Sequence, residues 1–301
     1  MSTTAQLKIP QPRDGGLVDP VRAMRQHPLL AFFILAFGFT WAIEIPMQAW
    51  QIAPLQFLVG WMPGLAALFV TGMIEGRSGM RALLRTLFIW RVGVQWYVVA
   101  LFGFLVVWFG TQALNPLFGG TGIHLPPLSM ALVAAFIAEL VLRMLLSSEQ
   151  LAWSGFALPR LQARQSALVA SLVLGVIWAT WHLPLFFVPG SQANAGFGIF
   201  LVGIVCTRIM LTWVFNNTGG SVLLCGLLHQ SINVWTDILA PSAAAAPADQ
   251  AVNQWLGLGL NLFIAALVVV VFGGRRLSRR PSVDTSTVLD PRVQLAGAVT
   301  P

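Results

Sequence analysis

Four polar residues lie in stretches of this chain that are otherwise almost wholly apolar: Glu149, His182, His229 and Asn233. His229 and Asn233 are four residues apart and therefore share one face of a helix. A carboxylate and two imidazoles on three helices can bind a divalent metal ion or activate a water molecule. An amide one turn from a histidine can donate a hydrogen bond to a developing oxyanion. We therefore predict that these four residues form one site.

The composition is that of a polytopic membrane protein. Hydrophobic residues make up 57% of the 301 residues and charged residues 9%, whereas about a quarter of the residues in a soluble domain are charged. Apolar runs of about 20 residues recur along the chain, and each is long enough to cross the hydrocarbon. The net charge of +7 comes from residues at the ends of these runs, which indicates membrane topology rather than nucleic-acid binding. The expected fold is all-α.

Eight apolar stretches predict about eight transmembrane helices. Two further stretches mix arginine with apolar residues at helical spacing, and we expect them to be interfacial helices on the cytoplasmic side; they are 77–91 and 154–165. The approximate limits of the eight stretches are 29–50, 54–75, 92–112, 128–150, 167–188, 195–215, 219–239 and 253–273.

Basic residues are confined to alternate loops. They follow the second, fourth and last apolar stretches, and the first, third, fifth and seventh loops contain no Lys or Arg. By the positive-inside rule, the basic loops and both termini face the cytoplasm. We expect a multi-pass protein of the cell (inner) membrane.

The chain divides into five predicted regions. The two cysteines, Cys206 and Cys225, lie in apolar runs, so we expect packing residues rather than a disulfide or a metal cluster. The regions are a cytoplasmic polar tail (1–28), an N-terminal transmembrane region (29–127), a core that holds the four candidate residues (128–240), an outward loop with the last transmembrane helix (241–274) and a disordered cytoplasmic tail (275–301).

Five other ionisable residues in the apolar stretches are predicted to be structural. Glu139 and Arg143 are four residues apart and can neutralise each other on one helix face. Glu44 and Asp237 lie nearer the outward ends of their stretches, and Arg208 lies nearer the inward end. At such positions a long side chain can reach the headgroups.

Three motifs resemble the CPBP (Abi) family of intramembrane metalloproteases, which includes the type II CAAX prenyl endopeptidases. The family's Glu-Glu-x-x-x-Arg motif is matched in part by EQLAWS, 149–154. Its aromatic-x-x-x-His motif is matched by Trp178 and His182, and its His-x-x-x-Asn motif by His229 and Asn233. The motifs occur in the family's order within the predicted core, which makes the resemblance specific.

The resemblance implies an intramembrane endopeptidase that hydrolyses a peptide bond of a membrane-associated or lipid-modified protein or peptide. Glu149 and His182 would activate the attacking water. His229 and Asn233 would stabilise the oxyanion, with Trp178 in support. Glu149, His182 and His229 would also supply three ligands to a divalent metal such as zinc. The implied partners are membrane lipids and the peptide substrate, with no nucleic acid.

The first motif departs from the family at two positions. Gln150 stands in place of the second Glu, and Ser154 in place of the Arg. Because they are four residues apart, the family's charges would form an ion pair on one helix face, and here both are absent together. We expect Gln150 and Ser154 to face each other and to support Glu149. The alternative is a decayed site in a catalytically silent scaffold or an immunity-type partner protein. A transporter is a third interpretation, but no broken, symmetry-related helices are visible.

The predicted helix boundaries separate the candidate residues. Glu149 would lie near the inward end of its span, whereas His182 would lie about 22 Å deep and His229 about 15 Å deep at 1.5 Å per residue. For these residues to meet, either the fifth helix starts later or tilts strongly, or the fourth continues into residues 154–158.

Overall fold

The computed structural model describes residues 20–50, 56–121, 129–187, 196–239 and 247–279, and within these ranges it contains helices and no strands. The predicted all-α class is confirmed. The α-helices are α1 (Pro20–Gln26), α2 (Pro28–Ala49), α3 (Gln56–Val59), α4 (Met62–Arg85), α5 (Val94–Leu114), α6 (Met130–Leu146), α7 (Leu158–Gln162), α8 (Ala167–Trp181), α9 (Phe197–Asn217), α10 (Val222–Ile238) and α11 (Pro247–Phe272).

Each of the eight predicted stretches contains a helix, but the helices differ in length. Among the described residues, α2, α5, α9 and α11 are long and apolar enough to cross a membrane, and α6 together with the helical segment that follows it makes a fifth, bent span. The helices α8 and α10 have only 15 and 17 residues. The protein is therefore a polytopic, multi-pass membrane protein in which several helices are shorter than a full crossing.

Helix α4 is kinked at Gly76, where φ is 69° and ψ is −160°. This conformation is open to glycine because it has no Cβ. The kink separates the apolar first part of α4 from its basic second part, residues 77–85. The helix predicted in the first basic stretch is thus present as far as Arg85, where a 3-10 turn, Thr86–Phe88, follows.

The fourth apolar stretch breaks and then continues. Helix α6 ends just before Ser147, which is extended, and the chain resumes as a π-helix, Leu151–Ala157, that leads into α7. The two halves are bent by 54°. The Ser148 hydroxyl donates to the Trp61 carbonyl at 3.0 Å, and Gly64 permits this approach because a Cβ there would lie 2.1 Å from Ser148 Oγ. Contact with α4 therefore fixes the break.

Residues 154–158 are in the core and not at the membrane surface where an interfacial helix was expected. Ser154, Phe156 and Leu158 are each 0% exposed. The Phe156 ring lies 4.9 Å, centroid to centroid, from that of Phe32 on α2. The sequence allows either a later or tilted fifth helix or a fourth helix that continues into residues 154–158. The structure shows the second alternative.

An ion pair joins this buried segment to α4. Arg160 Nη2 lies 2.5 Å from Glu75 Oε1, and the Arg160 guanidinium lies 3.8 Å from the centroid of the Phe156 ring. The basic residue expected at the membrane surface is therefore neutralised by an acid of the same protein.

The core packs around α8, whose Trp178 is fully buried together with Trp153 of the π-helix. Gly175 lets α9 approach α8 closely, since a Cβ there would lie 3.0 Å from the Val205 Cα. Cys206 and Cys225 are buried free thiols, in agreement with the packing role predicted for them.

The first residues of the predicted C-terminal tail are packed. Leu277 is 0% exposed, and its carbonyl accepts a hydrogen bond of 2.9 Å from Asn217 Nδ2. Residues 275–279 are therefore ordered, contrary to the disorder expected from residue 275, because one apolar side chain and several backbone groups find partners on α8 and α9. Residues 1–19, 240–246 and 280–301 lie outside the described part of the chain, and the predictions for them stay predictions.

Candidate active site

Glu149 lies at the break in the bent span and reaches α8. Its Oε2 accepts a hydrogen bond of 2.9 Å from Trp178 Nε1. The boundary predicted from the sequence puts this residue at the end of a span, far from His182. Because the chain continues for more than a turn beyond Glu149, the carboxylate lies within the helical bundle and meets the end of α8.

Trp178 lies between the three ionisable candidates. Its ring centroid is 5.7 Å from that of His182 and 5.0 Å from that of His229, with the second pair edge to face at 84°. Together with the hydrogen bond to Glu149, these contacts bring the carboxylate and both imidazoles around one fully buried indole. The predicted supporting residue therefore touches every ionisable member of the candidate site.

His182 lies where α8 ends, as the C-cap of that helix. Its Nδ1 is 2.8 Å from the Trp178 carbonyl oxygen. A carbonyl oxygen only accepts, so Nδ1 carries the hydrogen and Nε2 of the neutral ring has a free lone pair. Pro184 follows in the 3-10 helix Leu183–Phe187, in agreement with the helix disturbance expected there. The neutral His182 ring therefore carries its lone pair on Nε2.

His229 and Asn233 lie on the same face of α10, as their spacing predicts. Asn233 Nδ2 is 3.4 Å from His229 Nε2 and 3.2 Å from Gln230 Oε1. The other ring nitrogen of His229, Nδ1, is 3.3 Å from Gln150 Nε2. Both ring nitrogens of His229 thus face side-chain amides.

Gln150 and Ser154 contact each other, and an arginine contacts both. Ser154 Oγ donates to Gln150 Oε1 at 2.6 Å, as the motif comparison predicts. Arg208 Nη1 is 3.3 Å from Gln150 Oε1, and Arg208 Nη2 is 2.9 Å from Ser154 Oγ. A guanidinium from α9 therefore contacts both of the residues at which this chain departs from the family motif.

The expectation that charged residues of the spans reach the headgroups is corrected for Arg208 and Glu44, whereas for Asp237, which is 56% exposed, it stays a prediction. Arg208 is 0% and Glu44 2% exposed, and Asp237 pairs with Arg143. Arg208 is the functional candidate that the sequence interpretation missed. The available signal was an arginine in the middle of an apolar helix with no acidic residue on that helix, since its partners then had to come from another element.

The predicted pair of Glu139 and Arg143 is present. Arg143 Nη2 lies 2.8 Å from Glu139 Oε1, and the same guanidinium contacts Asp237 of α10. These side chains are about one-third to one-half exposed, so the pair contributes little to stability. It joins α6 to α10 beside the candidate site.

A cleft of about 410 Å³ opens beside Glu149 and Asn233. Its polar lining includes Arg143, Ser147 and Gln230 as well. A second cavity of about 220 Å³, with mostly apolar walls, reaches Gln150 from the side of α4. Glu149 and Asn233 are thus accessible from one side through a polar cleft.

The metal set expected from the resemblance does not match the side-chain arrangement. In the described ranges, no group of three or more His, Cys, Asp or Glu residues is placed to hold a metal ion. Glu149 binds the Trp178 indole, and both ring nitrogens of His229 face amides. A catalytic zinc needs three converging protein ligands. The residues present therefore do not fit a three-ligand site.

Two comparisons agree with the motifs. The family model of Rce1-like type II CAAX prenyl endopeptidases matches residues 124–235. A protein of Methanococcus maripaludis named CAAX prenyl protease 2 is 33% identical over 113 residues, which are 35% of this chain and 42% of that relative. The chain thus spans less than half the length of the curated relative it matches.

The matched segment contains all seven residues chosen from the sequence as catalytic or supporting, and it runs from just before α6 to α10. The helices outside it, α2, α4, α5 and α11, pack around this segment. Over residues 124–235, this chain therefore matches the Rce1-like family of type II CAAX prenyl endopeptidases.

Proposed function

We propose that this protein is a CAAX-type intramembrane endopeptidase that hydrolyses a peptide bond of a membrane-associated or lipid-modified protein or peptide. The observation that carries the proposal is the arrangement of Glu149, His182 and His229 around Trp178 at a break in a membrane span. A break inside a span is where the bundle can hold polar groups and water away from lipid.

In the proposed reaction, Glu149 and His182 activate a water molecule. The carboxylate accepts the Trp178 N–H through Oε2, which fixes its orientation and leaves Oε1 for the water. His182 Nε2 offers a lone pair because Nδ1 donates to a carbonyl. The water transfers a proton to this pair of bases while its oxygen forms a bond to the scissile carbonyl carbon.

His229 and Asn233 stabilise the oxyanion that forms on the carbonyl oxygen. Their nitrogens are 3.4 Å apart on one face of α10, close enough to donate to one oxygen atom. The oxyanion then re-forms the carbonyl, the C–N bond breaks, and the proton held by the bases passes to the leaving amine. The products are a new carboxylate and a new amine.

The proposed substrate class rests on the name of the relative and on the second cavity, and the proposed membrane orientation rests on the basic loops. The name of the Methanococcus relative supports a prenylated C-terminal tail as substrate, and the apolar cavity beside Gln150 could hold an aliphatic group. The basic loops support a location in the cell inner membrane with both termini cytoplasmic. Lipids and the peptide substrate are the proposed partners.

A second candidate is a catalytically silent scaffold or an immunity-type partner protein. It is favoured by the loss of both charges of the family's first motif, at Gln150 and Ser154. Against it, the Arg208 guanidinium contacts both of these residues, and Glu149 keeps an ordered hydrogen bond. We therefore rank the enzyme first.

The test is cleavage of a quenched fluorescent peptide by the purified protein in liposomes. Farnesylated and unmodified CAAX peptides are compared, with Glu149→Ala as the inactive variant. Glu75→Gln is the matched control, because it removes one carboxylate charge at a residue that pairs with Arg160 and does not line the cleft. Cleavage that is lost only in Glu149→Ala supports the enzyme. Equal rates for Glu149→Ala and wild type exclude the site.

A further inference from the structure

The residue that departs most directly from the family motif makes a direct contact with a proposed catalytic histidine. Gln150 Nε2 lies 3.3 Å from His229 Nδ1, and Gln150 is 4% exposed. An amide has a donor end and an acceptor end, and only its partners tell which end faces the ring. The orientation of Gln150 therefore decides which nitrogen of His229 carries the hydrogen.

Arg208 fixes the orientation of that amide. A guanidinium has donors and no acceptor, so the end of Gln150 that lies 3.3 Å from Arg208 Nη1 must be the oxygen. Ser154 Oγ donates to the same oxygen at 2.6 Å. Turning the amide over would bring its NH₂ group against the guanidinium, donor against donor. The NH₂ group of Gln150 must therefore face His229.

The tautomer of His229 follows from this orientation. Because Gln150 donates to Nδ1, this nitrogen must present its lone pair, and the hydrogen of the neutral ring is on Nε2. His182 has the opposite tautomer, since its Nδ1 donates to the Trp178 carbonyl. The two imidazoles of the site thus differ in role: one offers a lone pair from Nε2 and the other an N–H.

The contact between His229 and Asn233 then becomes a pair of parallel donors. The nitrogen atoms His229 Nε2 and Asn233 Nδ2 are 3.4 Å apart. Because both carry hydrogens in this tautomer, neither can accept a hydrogen bond from the other. Asn233 uses one amide hydrogen for Gln230 Oε1 at 3.2 Å, which leaves its second hydrogen free. Two adjacent N–H groups of this kind fit a single external acceptor such as a carbonyl oxygen that gains negative charge.

We propose that Gln150, held by Arg208 and Ser154, is a positioning residue that fixes His229 in the Nε2–H tautomer, so that His229 presents a hydrogen-bond donor instead of a metal-binding lone pair. The consequence of this tautomer for catalysis rests on the proposed function, whereas the assignment of the tautomer does not. A glutamate at position 150 would do the reverse, because a carboxylate would accept a hydrogen from Nδ1 and leave the lone pair on Nε2.

The tautomer can be measured by ¹⁵N NMR of the full chain in detergent micelles with ring-labelled histidine. The chain has four histidines, and replacing His27 and His124 with glutamine leaves His182 and His229 as the labelled rings. Protonated and unprotonated ring nitrogens have well-separated chemical shifts. We expect His182 with the hydrogen on Nδ1 and His229 with it on Nε2. A wild-type His229 protonated on Nδ1 overturns the proposal.

Two variants test the cause. Gln150→Glu should move the hydrogen of His229 to Nδ1, and the freed Nε2 lone pair should raise the affinity for Co²⁺, read from its visible absorption. Gln230→Glu is the matched control: the same change is made next to His229 on α10, but at a side chain that contacts Asn233, so the tautomer should stay Nε2–H.

An unchanged tautomer in Gln150→Glu, or an equal change in Gln230→Glu, overturns the role of Gln150. If Gln150→Glu does not fold, the wild-type spectrum still decides the tautomer. A protein that has the Nε2–H tautomer and yet cleaves no peptide would refute the proposed function and leave this inference standing, so the two failures can be told apart.

Discussion

Trp178 Nε1 donates a hydrogen bond of 2.9 Å to Glu149 Oε2 and so joins the end of α8 to the break in the bent span. The same indole lies 5.7 Å, centroid to centroid, from the His182 ring, so it links an acid of one span to a histidine at the end of the next helix. The indole therefore orients the proposed general base.

The first prediction concerns this bond. Trp178→Phe keeps an aromatic ring between the histidines but removes the N–H donor. We expect cleavage to fall about 10- to 100-fold, as is usual when a group that orients a reactive residue is lost. The measurement is the steady-state rate on the CAAX peptide.

Trp213→Phe is the control for that prediction, because the Trp213 Nε1 has no hydrogen-bond partner among the described residues and its ring packs against Trp96 and Phe272. It should keep the wild-type rate. An equal loss in both variants would show that packing, and not the hydrogen bond, is what Trp178 provides.

The second prediction concerns Arg208. Gln150→Glu should be tolerated, because its carboxylate would meet the guanidinium that now binds Gln150. Ser154→Arg should be destabilising by about 3–5 kcal/mol, since it buries a second guanidinium beside the first without a counter-charge. Thermal unfolding in detergent compares the two variants.

A triple variant combines Ser154→Arg with Gln150→Glu and Arg208→Ser. It again has a single guanidinium, now at the family's position 154 and next to a glutamate at position 150. Most of the stability lost in Ser154→Arg alone should therefore return. If Ser154→Arg is as stable as wild type, the Arg208 guanidinium does not lie beside residue 154.

Much of the fold and part of the site could be predicted from the sequence. The spacing of His229 and Asn233 fixed their common face, and the joint loss of two charges predicted the contact between Gln150 and Ser154, which the structure has. The break at Ser147 could not be predicted, because it depends on hydrogen bonds to the backbone of a distant loop.

Arg208 was misinterpreted for a related reason. An arginine at this position in an apolar helix can extend its side chain to the headgroups or bind a partner inside the bundle. Which of the two occurs depends on the residues that the neighbouring helix presents. The same holds for Glu44, which is 2% exposed and accepts a hydrogen bond from Gln48 at 3.3 Å. Local sequence gives the cost of a buried polar group but not the identity of its distant partner.

The third prediction concerns the oxyanion. Asn233→Ala removes one of two adjacent N–H donors and should lower kcat on the order of 100-fold with little change in KM, because the lost interaction is made mainly in the transition state. Asn261→Ala on α11, whose amide donates to the Gly257 carbonyl, is the control. A change confined to KM would mean that Asn233 binds substrate and does not stabilise the oxyanion.

The fourth prediction concerns metal. Because the donor groups do not converge on a three-ligand site, treatment with a strong zinc chelator followed by dialysis should leave the cleavage rate unchanged. Zinc content measured on the active protein should be well below one ion per chain. Loss of activity that added zinc restores would contradict this account and return Glu149, His182 and His229 to the role of ligands.

The fifth prediction concerns topology. Reporter fusions after residues 85 and 285 should report the cytoplasm, and fusions after residues 120 and 245 should report the outside. The reason is that basic residues lie near residues 85 and 285 and are absent from the loops around residues 120 and 245. A single fusion with the opposite location would require a different path through the membrane.

Hydrolysis of the CAAX peptide in ¹⁸O-labelled water by the wild type and by Glu149→Gln tests whether Glu149 activates the attacking water. The variant keeps the size of the side chain and an oxygen for the Trp178 N–H but is not a base. We expect one ¹⁸O atom in the new carboxylate of the wild-type product and a rate at least about 100-fold lower for Glu149→Gln, with the two proteins equally stable. Cleavage by Glu149→Gln at the wild-type rate, or a wild-type product without ¹⁸O, would contradict this expectation.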